Sequence, residues 1–90
     1  MDATTKLRRS TDVTFQIVAE EAVLIRMSTG TYFSLNKVGT EFWLLLDGEQ
    51  TIAQHASLLA GNYSVEAPQV MNDLLELADK MQADALVDIV

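Results

Sequence analysis

His55 is the one histidine in this 90-residue sequence, and so the one conventional candidate for a general base near neutral pH. No nucleophile elbow or triad pattern surrounds it. It stands three residues after Ile52 in a segment of helical periodicity, where it reads as a partly exposed structural histidine. Cysteine is absent, which excludes disulfides, thiolate metal sites and thiol nucleophiles. Carboxylates come in pairs at Glu20-Glu21 and at Asp73 with Glu76, as acid–base chemistry would need. The first pair falls in a turn signal, and the second reads as a solvated helix face. Asp84 and Asp88 could meet a hard cation, but no loop has the Asp/Asn/Gly density of a calcium site. The four glycines are isolated, so no phosphate-cradling loop forms. The expectation is a binding protein rather than an enzyme, with no metal and no cofactor.

Charge narrows the partners. The formal net charge is −7, and it is unevenly spread. Residues 1–40 balance at +1, whereas residues 41–90 carry only Lys80 against nine carboxylates, or −8. Phosphate neutralisation needs clustered Lys and Arg, so nucleic acid and anionic membrane are both poor partners. The one basic cluster, Lys6-Leu7-Arg8-Arg9, reads as part of a solvated arm. Phe42-Trp43-Leu44-Leu45-Leu46 is the longest apolar run, far too short to span a bilayer. The polar N-terminus lacks an apolar signal core, so the expected compartment is the cytoplasm.

Periodicity gives the strands and helices on which any site would be built. Residues 1–11 carry no pattern and are expected to form a flexible arm, with one domain over 12–90. Val13, Phe15 and Ile17 alternate with polar residues as a half-buried strand does. Val23, Ile25 and Met27 mark a second strand, Ser28-Thr29-Gly30-Thr31 a hairpin turn, and Tyr32-Phe33-Ser34-Leu35 a short third strand. At Asn36, a candidate N-cap, the period becomes helical through Val38, Phe42, Leu45 and Leu46. Asp47-Gly48 stops that helix, with Gly48 expected at a left-handed position. Thr51 and Gln54 form a capping box for a second helix, expected to end at Gly61. Pro68 suits the first turn of a third, long helix reaching residue 83 or 85. Leu86-Val87-Asp88-Ile89-Val90 is β-prone. The order predicts an α+β fold, a three-stranded antiparallel sheet followed by three helices packed on one face.

Two features point to a binding surface. The third strand carries no Lys or Pro to block its edge, so it can accept a strand from another chain. The third helix presents two adjacent apolar stripes: Val70, Leu74, Leu77 and Met81, then Met71, Leu75 and Ala78. Together they span roughly 160°, wider than the ~100° that covers one core. One stripe can therefore wall a groove beside the third strand. Periodicity alone does not say which. Five or six added main-chain bonds at about 0.5–1.5 kcal/mol each, with two or three apolar anchors, would give micromolar to sub-micromolar binding. A homodimer that pairs these edges and a winged-helix transcriptional regulator are the competing readings.

Tyr32-Phe33-Ser34-Leu35-Asn36, Gly39 and Phe42-Trp43-Leu44-Leu45-Leu46-Asp47-Gly48 resemble, at these spacings, the core of the PqqD-like family. The likeness continues through Thr51-Ile52, Leu58-Leu59, Tyr63-Ser64-Val65, Val70, Asp73, Leu77, Met81 and Leu86-Val87. The sequence departs at Ala85, where the family usually has Gly. The resemblance implies a winged-helix-like domain that binds the leader of a ribosomally made precursor peptide. Within the family it is most similar to the stand-alone B1-type recognition proteins of lasso peptide pathways. The partners so implied are the leader peptide, a leader peptidase and an ATP-dependent cyclase. A peptide chaperone for a radical-enzyme pathway is the alternative within the family. Carried over by position, Thr31, Tyr32, Phe33, Ser34 and Leu35 would pair with the peptide. Val70, Met71, Asp73, Leu74, Leu77, Ala78 and Met81 would be candidates for the groove wall.

Overall fold

A computed structural model describes residues 1–90. Nine elements follow in order: β1 (Lys6–Arg9), β2 (Val13–Val18), β3 (Glu21–Arg26), β4 (Thr31–Ser34), α1 (Lys37–Leu45), β5 (Asp47–Thr51), α2 (Ile52–Tyr63), α3 (Ala67–Ala83) and β6 (Val87–Ile89). The expected meander is β2-β3-β4, antiparallel throughout, followed by three helices. Its third strand is therefore β4. No helix is long and apolar enough to cross a membrane.

Local chemistry explains most of the boundaries. The Gly39 N–H donates to Asn36 Oδ1 at 2.8 Å, capping α1. At α2 the Gln54 N–H donates to Thr51 Oγ1 (3.2 Å) and the Thr51 N–H to Gln54 Oε1 (2.7 Å), which completes the capping box. Pro68 lies in the first turn of α3, where its missing N–H costs nothing. The α3 C-terminus closes as a Schellman motif. The Leu86 N–H donates to the Met81 carbonyl, and the Ala85 N–H to the Gln82 carbonyl. That motif places Ala85 at φ +58°, a left-handed position glycine fills more easily.

The core forms where the meander meets the helices. Leu24, Phe42, Trp43, Ile52, Leu59, Leu74 and Met81 are all essentially inaccessible. Phe15 meets Trp43 edge to face at 5.8 Å between centroids, which locks β2 onto α1. Thr40 splices the end of the sheet to α1. Its buried hydroxyl accepts from the Ala22 N–H at 2.7 Å and donates to the Leu35 carbonyl at 3.4 Å.

The structure corrects four expectations. Residues 6–9 are not part of a flexible arm. They are the central strand of a second sheet, β5-β1-β6, and Leu7 is 1% exposed. One apolar residue among Lys and Arg gives no period, so only the distant partners reveal this strand. Asp47–Thr51 is strand β5 as well as a helix stop and cap. Gly48 is left-handed, at φ +78°, but lies two residues beyond the α1 C-cap, Leu46. Finally, α2 runs through Gly61 to Tyr63, and Ser64 at φ +54° ends it.

Candidate functional site

The meander has two outer strands, β2 and β4. The edge of β4 is the one that borders hollows walled by α3. The hydrogen-bond parity of β4 is fixed by one contact: the Leu35 N–H donates to the Ala22 carbonyl at 2.9 Å. The register pairs Leu24 with Phe33 and Val23 with Ser34. Antiparallel pairs alternate between bonded and non-bonded, so Leu35 and Phe33 bond inward to β3. Tyr32 and Ser34 then direct their N–H and C=O groups away from β3, to the open edge. The side chains follow the pleat. Phe33 and Leu35 turn toward the helices, whereas Tyr32 lies on the opposite face and is 69% exposed.

Beside that edge run two adjoining hollows. One, of about 200 Å³, is lined by Phe33, Ser34 and Leu35 from the strand side, Leu77, Lys80, Met81 and Asp84 from the helix, and Leu86. The other, of about 390 Å³, joins Ser34 to Asn36 with Val38, Gly39, Asp73 and Leu77. The narrower hollow is below the size of an ordinary small-molecule pocket and suits single side chains of an extended peptide. Leu77 lies in both. Gly39 permits its approach to α1: a Cβ at Gly39 would stand 3.4 Å from Leu77 Cδ2 and 3.2 Å from Asn36 Oδ1.

The C-terminal tail does not occupy this lane. β6 pairs with β1, Leu7 opposite Ile89 and Arg9 opposite Val87, on the other sheet. The edge of β4 is left without a neighbour from its own chain.

Of the residues singled out from sequence, Phe33, Ser34, Leu35, Asp73, Leu77 and Met81 come together along the lane. Tyr32 borders a separate hollow on the outer sheet face, and Thr31 is exposed at the start of the strand. Val70, Leu74 and Ala78 are core residues, and Met71 packs against the core half-buried. The helix thus divides differently from the two stripes. Val70, Leu74, Ala78 and Met81 make the core seam, and Leu77 flanks it toward the lane with Asp73, Lys80 and Asp84. Lys80, Asp84, Val38, Gly39 and Leu86 were not anticipated as lining. Lys80 and Asp84 lie three and seven residues after Leu77, on the same helical face, a signal the sequence did contain.

His55 has no part in the lane. The expected partial exposure is not what the fold gives: packing edge to face with Phe42 at 5.9 Å leaves it 1% exposed, and neither ring nitrogen has a hydrogen-bond partner. Burial lowers its pKa below the ordinary 6.5, opposed by the Asp47 carboxylate. No group of three or more acidic or histidine side chains is arranged to hold a metal ion.

A three-stranded antiparallel meander followed by three helices, with a strand-and-helix groove on one flank, defines a small α+β domain class. The family model for PqqD, the coenzyme PQQ synthesis protein D, matches residues 21–87, and the chain belongs to this family. Among solved structures, TbiB1 in complex with the TbiA(beta) leader peptide is 30% identical, with a TM-score of 0.82. The match covers 90% of this chain and 94% of that one. A lasso peptide synthetase B1 complexed with the leader peptide has the same fold, at 23% identity and a TM-score of 0.78. That match covers 92% of this chain and 98% of the other. No curated relative matches the sequence significantly.

Proposed function

We propose that this protein is a non-catalytic recognition module that binds the leader of a ribosomally made precursor, of the lasso peptide type. The leader adds as a strand to the edge of β4 and sinks alternate side chains between β4 and α3. The observation that carries this reading is the vacant, unblocked β4 edge lying directly beside a groove lined by Leu35, Leu77 and Met81. The two similar structures, both described as complexes with a leader peptide, support it. Bound there, the leader tethers the precursor for a leader peptidase and an ATP-dependent cyclase, in the cytoplasm where the precursor is made. The −8 balance of residues 41–90 disfavours DNA binding by the helical half.

The parity of β4 revises the expected contacts. Two outward residues supply four main-chain groups, so about four added hydrogen bonds replace the five or six expected from strand length. At about 0.5–1.5 kcal/mol each they set the strand in register, and the apolar anchors supply the remaining affinity. The test is an NMR titration of labelled protein with a lasso-type leader peptide, beginning with the TbiA(beta) leader of the similar complex. Shifts confined to Thr31–Asn36 and the Asp73–Asp84 face of α3 are expected. Shifts confined to the β5-β1-β6 sheet would overturn the assignment.

A further inference from the structure

The pleat that turns Phe33 into the groove turns Tyr32 the other way, and an added strand must obey the same alternation. The outer face of the meander is not bare polar surface. Two cross-strand rows run over it, Thr14–Ile25–Tyr32 and Gln16–Val23–Ser34. Val23 and Ile25 are half-buried there, and with Thr14 and Tyr32 they line a shallow hollow of about 430 Å³. The first row ends at the open edge with Tyr32, 69% exposed.

We propose that the Tyr32 side chain selects an aromatic or β-branched residue in the guest strand, so that the peptide is read on both faces. This rests on the strand-addition reading above and goes beyond it. Tyr32 and Ser34 are the residues whose main chain faces the guest. A guest that continues the antiparallel order of the meander meets these residues as directly opposed pairs, which exchange both bonds and keep their side chains on one face. The guest residue bonded to Tyr32 therefore extends the Thr14–Ile25–Tyr32 row. Its neighbour in the guest strand, opposite Phe33, enters the groove. Two adjacent guest residues are then both apolar, one for each face, a pattern that a one-sided groove would not demand. Ser34 ends the second row and offers little contact, so the outward preference is confined to one guest position.

The probe is a display library of random 12-residue peptides, selected in parallel on the wild-type protein, Tyr32→Ser and Tyr32→Phe. Because Tyr32 is exposed at an edge, all three should melt alike. Wild type and Tyr32→Phe are expected to enrich adjacent apolar residues, the outward one aromatic or β-branched. Tyr32→Ser should keep the groove preference and lose the outward one. A wild-type-selected peptide should bind Tyr32→Ser about 3- to 10-fold more weakly, the scale of an exposed cross-strand aromatic pair. Amide exchange on the same complexes separates the two claims. Protected Tyr32 and Ser34 amides with identical preferences in all three selections would overturn the role of Tyr32 and leave strand addition standing. Unprotected edge amides under a bound peptide would overturn both.

Discussion

Ser34→Pro separates the fold of this protein from its proposed binding more sharply than any truncation of the groove. The Ser34 N–H points to the open edge, because the neighbouring Leu35 N–H is the one that bonds inward, to Ala22. Proline is tolerated at an edge where its missing N–H would have faced solvent. The free protein should therefore keep its fold and melt within a few degrees of wild type. The complex loses one main-chain bond and strands a guest carbonyl beside the ring. Together these cost about 1–3 kcal/mol, or roughly 5- to 150-fold in Kd. Phe33→Pro is the control of opposite parity: it removes a bond to Leu24 within the meander and should destabilise the fold itself. Calorimetric titration with the leader, beside thermal melts, reads both effects. A Ser34→Pro protein that is folded and binds the leader within twofold of wild type would refute the parity argument.

Other outcomes follow from named contacts. Ala85→Gly should raise stability by about 1 kcal/mol in denaturant titration, since Ala85 closes the Schellman motif at φ +58°; an unchanged midpoint would mean the turn carries no strain. Leu77→Ala should weaken leader binding about 5- to 30-fold and lower stability less than a core truncation does, because Leu77 flanks the lane half-buried against the core. Leu74→Ala, in the core at 1% exposure, should instead cost about 2–5 kcal/mol of stability. The folded state holds His55 at a lowered pKa, so the unfolded chain binds a proton more readily. Its contribution is whole above about pH 6.5 and is lost as pH falls from there through the folded value. His55→Leu should remove that acid sensitivity from melts recorded between pH 7 and pH 5.

The meander, the capping box and the long third helix were legible because each is a local pattern. The Phe15 alternation, the Thr51/Gln54 pair and Pro68 need no distant partner to be read. β1 was not legible, because Lys6-Leu7-Arg8-Arg9 becomes a strand only by pairing with Asp47–Thr51 and Val87–Ile89, some forty and eighty residues away. The lane was half legible. The unblocked strand and the over-wide apolar arc of α3 pointed to it. Helical angles alone could not say that the middle of that arc meets the core. The core seam of Val70, Leu74, Ala78 and Met81 takes residues from both stripes, and only packing sorts them. Polar lining residues such as Lys80 and Asp84 escape any search for apolar walls.

Amide exchange at the edge of β4 reports on the added strand itself. In the free protein the Tyr32 and Ser34 amides face outward and should exchange fast, while those of Phe33 and Leu35 are already held by β3. With the leader bound, strong new protection is expected at Tyr32 and Ser34, with little change at Phe33 and Leu35. A saturating leader that leaves Tyr32 and Ser34 exchanging as fast as before would contradict strand addition.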